Sequence, residues 1–305
     1  MSQPAALILA AGYSSRMGAF KPLLTLGDRS AITWCVSAFR DAGISDIRVV
    51  TGFGAPELEP ELHRLGVVGV PNPNYDRGMF SSIQAGIASL ADDIDACFLL
   101  PVDTPLVRAS TVAALAARRA AAPAPVVNPS FRGQRGHPPV IDKALFAEIL
   151  AGDGEGGLRA LLQRHEAVAV DVVDEAILLD MDTPEDFARL DERAQHRDVP
   201  SEAECEAIFE RDSVAEPVRR HSRAVASVAA ALAQHLDDID QQVVNAAALL
   251  HDIAKGRPDH AEAGATRVAS LGYPAVAEAM RHHMDFNFGG RLDAAAVVFV
   301  ADKLV

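Results

Sequence analysis

The sequence is poor in cysteine and has no long apolar run. Three cysteines occur in 305 residues, Cys35, Cys97 and Cys205, and no two of them form a C-x-x-C pair. This pattern is typical of free thiols in a reducing compartment. The sequence also lacks a cationic N-terminal segment followed by an apolar stretch, and no apolar run is long enough to span a membrane. We therefore expect a soluble, cytoplasmic protein with no membrane partner.

Basic residues are in the minority. Lys and Arg total 28 against 42 Asp and Glu, which gives a formal net charge of -14 at pH 7. This surplus of acid argues against nucleic acid as a partner but is compatible with a small phosphate ligand held by local cations. An apolar share of 49% is enough to fill buried cores, and a length of 305 residues favours two domains.

The most informative stretch is ALILAAGYSSRMGAFKPLL, residues 6–24. An apolar run typical of a buried parallel strand leads into a loop of small and hydroxylic residues, followed by the cations Arg16 and Lys21. Backbone N–H groups in such a loop can surround phosphate oxygens, although a plain surface turn would look similar. The loop contains neither the G-K-[ST] of a Walker motif nor G-x-G-x-x-G. The candidate nucleotide-binding residues here are Leu9, Ala10, Ala11, Gly12, Ser14, Ser15 and Gly18.

The full string, L-A-A-G-x-S-x-R-M-G-x-x-K-x-L-L, resembles the signature loop of the molybdenum cofactor nucleotidyltransferases. The resemblance continues to about residue 190 and implies transfer of a nucleotide from an NTP to a phosphorylated acceptor, with release of pyrophosphate. Related guanylyltransferases usually carry L-A-G-G where this sequence has L-A-A-G, so the string is more similar to the cytidylyl members. The resemblance therefore favours CTP as donor and molybdenum cofactor as acceptor.

Strand and helix patterns alternate through the first half of the chain. Strands are predicted over 46–51, 67–70, 96–102 and 125–130, and Ser30 is a candidate N-cap for a helix reaching Phe39. This alternation predicts a doubly wound, mostly parallel α/β sheet, and the resemblance makes it nucleotide-diphospho-sugar transferase-like.

The segment from Asn72 to Gly86 allows two interpretations. Ser81 and Ser82 are ordinary N-cap candidates for a helix reaching Leu90. In the resembled family, however, the corresponding segment lies in the nucleotide pocket, which implies nucleotide-binding roles for Asn74, Gly78, Ser81 and Ser82.

Two aspartates are candidates for a metal site. Asp103 follows the most apolar strand, and Asp182 precedes a helix start at Thr183 and Pro184. Each of them could simply cap a helix. By resemblance both bind Mg²⁺, with Asp180 a weaker candidate, and an all-oxygen site suits that ion.

The chemistry implied for this half depends on charge rather than on a nucleophilic side chain. Arg16, Lys21 and Asp103 are the catalytic candidates, because cations and Mg²⁺ offset the repulsion between an attacking phosphate and an NTP. A phosphate monoester is already ionised near neutral pH, so no general base is needed. The G-H-P step at Gly136, His137 and Pro138 resembles the family's acceptor loop, although an isolated loop histidine is usually only solvated.

The texture of the sequence changes after residue 190. Residues 191–200 are dense in charge, end in proline and are interpreted as a linker. Beyond them, apolar residues recur at helical spacing. Val218, His221 and Val225 share one stripe, and an adjacent pair, His251 and Asp252, ends an apolar helix.

Imidazoles and carboxylates brought together from several helices form divalent metal sites. The string H…HD…H…HH…D resembles the HD phosphohydrolase superfamily, in particular its members that hold two metals. The resemblance implies that His221, His251, Asp252 and Asp302 bind one ion and that His260 and His283 bind a second, with Fe or Mn expected. His282 is expected to point outward, and Lys255 is a possible phosphate contact. Asp302 lies three residues from Val305, where family members normally continue, so residues 201–305 are either a truncated HD domain or one with a short tail.

The preferred interpretation is a nucleotidyltransferase domain over 1–190, joined by the linker to an all-α HD phosphohydrolase domain. One alternative changes the acceptor to a sugar phosphate or an isoprenoid precursor, which an acceptor screen would reveal. Another is a protein that binds and delivers finished cofactor to a molybdenum hydroxylase apoenzyme, with a sensory HD domain. In that case Asp103→Ala would abolish pyrophosphate release without impairing delivery.

Overall fold

Two units make up the chain, Met1–Gln195 and His196–Val305. The computed structural model describes residues 4–13, 17–284 and 292–305. Within these residues no helix combines the length and apolarity needed to cross a bilayer. All three cysteines are buried thiols outside any disulfide, and burial raises the pKa of the Cys97 thiol to about 12.

The first unit is built on an eight-stranded sheet and a separate two-stranded one. The strands agree with the predicted ones to within one or two residues where a strand was predicted. In chain order they are β1 (Ala5–Ala10), β2 (Thr25–Leu26), β3 (Arg29–Ser30), β4 (Ile47–Thr51), β5 (Val68–Pro71), β6 (Ala96–Pro101), β7 (Val126–Phe131), β8 (Gln134–Arg135), β9 (Val140–Asp142) and β10 (Ala167–Asp171).

The large sheet has the order β10-β7-β9-β6-β1-β4-β5, with β8 paired to β7. Strands β6, β1, β4 and β5 are mutually parallel, as expected from the strand–helix alternation. Strand β9 runs antiparallel to both β6 and β7, so the sheet is mixed. The predicted α/β class with a mostly parallel sheet is confirmed, and β1 lies near its centre, with its carboxyl end at the start of the Gly/Ser loop.

Helices cover both faces of this sheet. Along β6, Cys97 and Leu99 belong to the same buried cluster as Ile83, whereas Phe98 packs on Phe39 with ring centroids 5.6 Å apart. This alternation follows from the two-residue period of a strand. The helices are α1 (Ala31–Asp41), α2 (Ala55–Leu65), α3 (Met79–Ala88), α4 (Ala109–Ala121), α5 (Phe146–Ala151), α6 (Gly157–Leu162) and α7 (Pro184–Gln195).

The N-terminus of α1 shows how a predicted cap is reinforced by tertiary contacts. The Ser30 hydroxyl accepts a hydrogen bond from the Thr33 N–H, as predicted for an N-cap. Glu61 on α2 accepts hydrogen bonds from the Thr33 hydroxyl at 2.9 Å and from the Arg64 guanidinium at 2.6 Å. The Arg64 hydrogen bond is the main reason that the pKa of Glu61 falls to about 2.

We expect Glu61→Gln to lower the free energy of unfolding by about 1 kcal/mol at pH 7, the scale of a partly exposed ion-pair network. Because the folded-state pKa is depressed, this stabilisation is present above the unfolded value near 4.5 and is lost as pH falls towards about 2. Denaturant titrations of both proteins between pH 7 and pH 3 measure it. A difference that did not shrink on acidification would contradict the assignment.

Among the described residues of the second unit, all regular secondary structure is helical. The helices are α8 (Glu202–Arg211), α9 (Glu216–Ala233), α10 (Gln241–Leu250), α11 (His260–Ser270), α12 (Pro274–Arg281) and α13 (Ala294–Leu304). His251 and Asp252 directly follow α10, and His283 lies two residues after α12. These side chains are therefore carried by turns of the chain rather than by the helices themselves.

Two details differ from the sequence patterns. Helix α7 continues to Gln195, into the segment 191–200 that we interpret as a linker, because Leu190 and Ala194 are buried. On α9 the buried stripe contains Ser222 and Val225 and is offset by one residue from the predicted one. His221 therefore lies at the edge of the stripe, with 27% of its side chain exposed.

Candidate active site and candidate metal centre

Lys21 joins two carboxylates at the carboxyl edge of the sheet. Its Nζ lies 2.8 Å from Asp182 Oδ1 and 3.9 Å from Asp103 Oδ2, and only 11% of its side chain is exposed. Asp103 comes two residues after β6, and its carbonyl accepts a hydrogen bond from the Met181 N–H at 2.8 Å. This backbone contact brings segment 180–182 alongside Asp103, so the two predicted aspartates converge on one buried cation.

The capping alternatives for these aspartates do not match the observed contacts. Helix α4 begins at Ala109, so Asp103 does not cap it. At the start of α7, the Thr183 hydroxyl accepts from the Asp186 N–H at 3.2 Å, and the Asp186 carboxylate accepts from the Thr183 N–H at 3.0 Å. This reciprocal cap provides acceptors for the backbone N–H groups of Thr183 and Asp186 at the start of the helix. The Asp182 carboxylate is therefore available to contact Lys21.

The acidic group at this edge is electrostatically crowded. Burial is the main factor that raises the pKa of Asp103; the charge on Lys21 opposes it, and the charges on Asp182 and Asp180 reinforce it. A second cation near the carboxylates would lower their mutual repulsion. Oxygen ligands of this kind are those that Mg²⁺ prefers, so the donor set fits that ion.

A cleft of about 350 Å³ opens beside Lys21 and Asp103. Of the predicted nucleotide-binding residues it is lined by Leu9, Ala10, Ala11, Gly12, Gly78 and Ser82. The lining does not include Gly18, Asn74 or Ser81, although all three are among the described residues. Ser14, Ser15 and Arg16 lie outside the described residues. Sequence reasoning missed the aromatic residues Tyr13 and Tyr75, which also line the cleft.

Asn72 holds the cleft-lining residue Ser82 from behind and was not predicted as a site residue. Its buried amide donates to the hydroxyls of Ser81 at 2.9 Å and Ser82 at 3.0 Å, and its carbonyl oxygen accepts from the Asn74 N–H. Helix α3 starts at Met79 with Gly78 as its N-cap, so the two serines lie inside its first turn and do not cap it. The signal available in the sequence was a polar residue directly after an apolar strand.

The predicted acceptor loop is packed rather than solvated. A Cβ on Gly136 would lie 2.3 Å from the Ile177 carbonyl oxygen, so only glycine fits there. The His137 N–H donates to the same carbonyl at 2.9 Å. Burial lowers the pKa of His137, partly offset by a contact with the Leu99 backbone and the charge on Asp180. None of the described residues 136–138 lines the cleft next to Lys21.

In the second unit, histidines and aspartates from separate helices converge. His221 Nε2 lies 3.0 Å from Asp302 Oδ1, and His251 Nε2 lies 3.5 Å from the same oxygen and 3.4 Å from Asp252 Oδ2. The ligand atoms of His221, His251 and Asp252 fall within 4.8 Å of one another. The four residues expected to hold one ion are therefore brought together.

A second group shares Asp252 with the first. His260 Nε2 lies 3.4 Å from Asp252 Oδ1, and the ligand atoms of Asp252, His260 and His283 again fall within 4.8 Å of one another. His282, the neighbour expected to point outward, is exposed and contacts Glu278. Asp252, with one oxygen towards each group, is suited to bridge two ions.

The imidazole orientations fit metal binding. His251 Nδ1 lies 2.8 Å from the Ala248 carbonyl and His283 Nδ1 lies 2.6 Å from the Met280 carbonyl, so each Nδ1 donates its proton there. The Nε2 atoms of both residues are buried and have no hydrogen-bond partner among the described residues. Backbone carbonyls that fix the ring in this way are typical of metal-ligating histidines.

The negative charges of Asp252 and Asp302 are balanced by the neighbouring side chains of His251 and Lys255. Burial alone would lower the pKa of His251, but the nearby carboxylates of Asp252 and Asp302 outweigh burial and raise it to about 9. Contact with His251 holds the pKa of Asp302 well below its usual range. Lys255 Nζ lies 2.5 Å from Asp252 Oδ2, and both residues line an adjoining cavity of about 440 Å³.

Comparison with known proteins agrees with both units. The model of the family described as "MobA-like NTP transferase domain" matches residues 6–168, and that of the HD domain matches residues 218–305. A molybdenum cofactor cytidylyltransferase of Escherichia coli K12 is 29% identical over 202 residues, 63% of this chain and 98% of that protein. A molybdenum cofactor guanylyltransferase of Cereibacter sphaeroides is 32% identical over 197 residues, 60% of this chain and 93% of that protein. The crystal structure of Rv0371c from Mycobacterium tuberculosis H37Rv superposes with a TM-score of 0.57 at 25% identity, covering 63% of this chain and 98% of that one.

Proposed function

Because this chain belongs to the MobA-like NTP transferase family and carries a C-terminal HD domain, we propose that it is a Mg²⁺-dependent cytidylyltransferase for molybdenum cofactor. In this reaction the cofactor's phosphate attacks the α-phosphorus of CTP and pyrophosphate leaves. We assign the transfer to residues 1–190 and a coupled phosphohydrolase activity to residues 201–305, with residues 191–200 as the linker. The finished product would pass to a molybdenum hydroxylase apoenzyme.

The observation that carries this proposal is the position of Lys21 between Asp103 and Asp182, beside an open cleft. A Mg²⁺ ion bound there would supply charge stabilisation to the triphosphate and to the leaving pyrophosphate. Asp103 and Asp182 would hold the ion, and Lys21 and Arg16 would neutralise the phosphate oxygens. The backbone from Leu9 to Gly12 would surround the nucleotide, with Asn74, Gly78, Ser81 and Ser82 on the opposite side.

CTP is favoured by the L-A-A-G string and by the similarity to a cytidylyltransferase. The guanylyltransferase relative is similar over nearly the same stretch, so percentage identity does not discriminate between the two bases. For the acceptor, we propose that Gly136, His137 and Pro138 contact the cofactor, since they follow strand β8 and their backbone is fixed by hydrogen bonds from His137 to the Ile177 carbonyl and from Gly136 to the Pro129 carbonyl.

For the HD domain we propose hydrolysis of a phosphoester. Two divalent ions, Fe or Mn, would be held by His221, His251, Asp252 and Asp302 and by His260 and His283, and would supply activation of water. Lys255 borders the adjoining cavity and contacts Asp252, a position from which it could bind a substrate phosphate.

The transferase is tested by measuring pyrophosphate release with each of the four NTPs in the presence of Mg²⁺, without acceptor and with molybdenum cofactor, a sugar phosphate or an isoprenoid precursor. We expect release with CTP that depends on the cofactor. Release with GTP but not CTP would overturn the choice of base, and release with a sugar phosphate or an isoprenoid precursor would overturn the choice of acceptor. No release with any NTP and acceptor would overturn the transferase itself.

A further inference from the structure

Three aromatic rings meet at the cleft beside Lys21 and Asp103: Tyr13 and Tyr75 line it, and Phe53 packs on Tyr13 from outside the lining. The centroid of the Tyr13 ring lies 5.2 Å from that of Phe53 and 5.4 Å from that of Tyr75, with interplanar angles of 42° and 61°. These three residues are here called the aromatic trio. Separations and tilts of this kind are those favoured by interacting aromatic pairs.

The aromatic trio is assembled by loops that follow three neighbouring parallel strands. Tyr13 follows β1, Phe53 follows β4 and Tyr75 follows β5, so all three reach the carboxyl edge of the sheet. The Phe53 N–H donates to the Ala11 carbonyl at 3.2 Å, which ties the second loop to the first. A Cβ on Gly52 would lie 2.6 Å from Tyr75 Cβ, so the missing side chain is what admits Tyr75.

The exposure of these rings is unusual for this chain. Tyr13 is 51% exposed and Phe53 is 44% exposed, and among the described residues they are the exposed members of the Phe, Tyr and Trp class. Exposed apolar side chains that occur together at a cleft indicate a binding surface, whereas single ones carry no such meaning. Tyr13 and Tyr75 also line the same cleft as Lys21 and Asp103, so the rings and the charged groups border one continuous cavity.

We propose that the aromatic trio stacks the nucleobase of the NTP, with Tyr13 as the contacting ring and Phe53 and Tyr75 supporting it. The inference rests on the proposed function for the orientation of the ligand. Lys21 and the aspartates mark the phosphate end, which leaves the part of the cleft lined by Tyr13 and Tyr75 for the base. Stacking tolerates any base, because every base has a π-face. The aromatic trio should therefore contribute affinity for all NTPs and leave the preference for one base to other contacts.

The test measures equilibrium binding of CTP, GTP and inorganic tripolyphosphate to the full chain with Mg²⁺. We expect Tyr13→Ala to weaken CTP and GTP binding by a similar factor, about tenfold, which lies within the usual range for one lost stack. Tripolyphosphate has no base, so its affinity should not change. Tyr13→Phe keeps the ring and should retain wild-type affinity. Val68→Ala is the control, because Val68 is an exposed apolar side chain that does not line the cleft.

A second readout of nucleotide binding is tryptophan fluorescence. Tyr13→Trp keeps a stacking ring and adds an exposed indole to a chain whose single tryptophan, Trp34, is buried. Its fluorescence should be quenched by CTP and by GTP but not by tripolyphosphate. The kinetic counterpart is a KM for NTP that rises in Tyr13→Ala while kcat changes little.

The outcomes separate this inference from the proposed function. If the wild-type chain binds no NTP, the proposed function fails. If it binds NTP but Tyr13→Ala binds equally well, stacking by the trio is wrong. Loss of tripolyphosphate binding in Tyr13→Ala would mean that the ring only supports the loop. If Tyr13→Ala instead lowered the affinity for the acceptor and left the affinity for NTP unchanged, the aromatic trio would serve the acceptor. Both of these results would also overturn the inference. If Tyr13→Ala fails to fold, Phe53→Leu replaces it in the test. Because Phe53 supports the Tyr13 ring, Phe53→Leu should also weaken the binding of CTP and GTP.

Discussion

Replacing Asp103 by asparagine should reduce pyrophosphate release about 10³-fold, the scale expected when a group that stabilises transition-state charge is removed. Asn keeps the shape of the side chain but withdraws the charge that would hold Mg²⁺. Initial rates at saturating NTP and cofactor, over a range of Mg²⁺ concentrations, measure the loss. Glu185→Gln is the matched control, because it removes one exposed carboxylate three residues beyond Asp182 and should retain activity.

Asp103→Asn should not destabilise the first unit. Burial raises the pKa of Asp103, so ionisation of this group at neutral pH opposes folding. For an acid with a raised folded-state pKa, its contribution to stability is present at low pH and is lost as pH rises through that pKa. Asp103→Asn should therefore melt at or above the wild-type temperature at pH 7. A variant that retained more than a tenth of the activity, or that melted well below the wild type, would contradict the assigned role.

The second large effect is expected in the HD domain, where adjacent histidines form a natural pair of variants. His283→Ala removes a buried Nε2 next to Asp252, whereas His282→Ala removes an exposed ring that contacts Glu278. We expect His283→Ala to weaken binding of one ion at least 100-fold, about 3 kcal/mol, and His282→Ala to leave it unchanged. His251→Ala should weaken both sites, because His251 lies next to Asp302 and to Asp252, the residue shared by the two proposed ligand groups.

The measurement is metal content per chain after dialysis against Mn²⁺ or Fe²⁺ buffers, together with thermal melting. An ion at 100 times its dissociation constant stabilises the folded state by about 2.7 kcal/mol, so chelation should lower the melting temperature of the wild type and of His282→Ala. His251→Ala should show little response to the chelator. Equal metal content in His282→Ala and His283→Ala would contradict the proposed ligand set.

Several features of the first unit were predictable because they depend on local sequence. The alternation of apolar runs with helical patterns gives the strands near their observed bounds, and Ser30 caps α1 as expected. The choice for Asp182 could not be made from local sequence, because Asp and Thr before Pro are good cap residues in any context. The Thr183–Asp186 cap excludes Asp182 as the capping residue, and its carboxylate instead contacts Lys21, which is 161 residues away from Asp182 in sequence.

In the second unit the pattern of histidines and aspartates indicated a metal centre, but the depth of each residue depends on packing. Helical periodicity placed His221 within the apolar stripe, whereas the helix is rotated by one residue and exposes part of the ring. The donors that orient His251 and His283 are backbone carbonyls, which no side-chain pattern reveals.

By itself the sequence determined the α/β class and the change to helices after residue 190, and it named candidates for phosphate and metal binding, because periodicity and side-chain chemistry are local properties. Only the tertiary structure decided which of these residues meet. The convergence of Lys21 with Asp103 and Asp182, the role of Asn72 and the aromatic trio all depend on loops from different strands reaching one edge of the sheet. Sequence separation does not encode such contacts; the parallel order of the strands creates them.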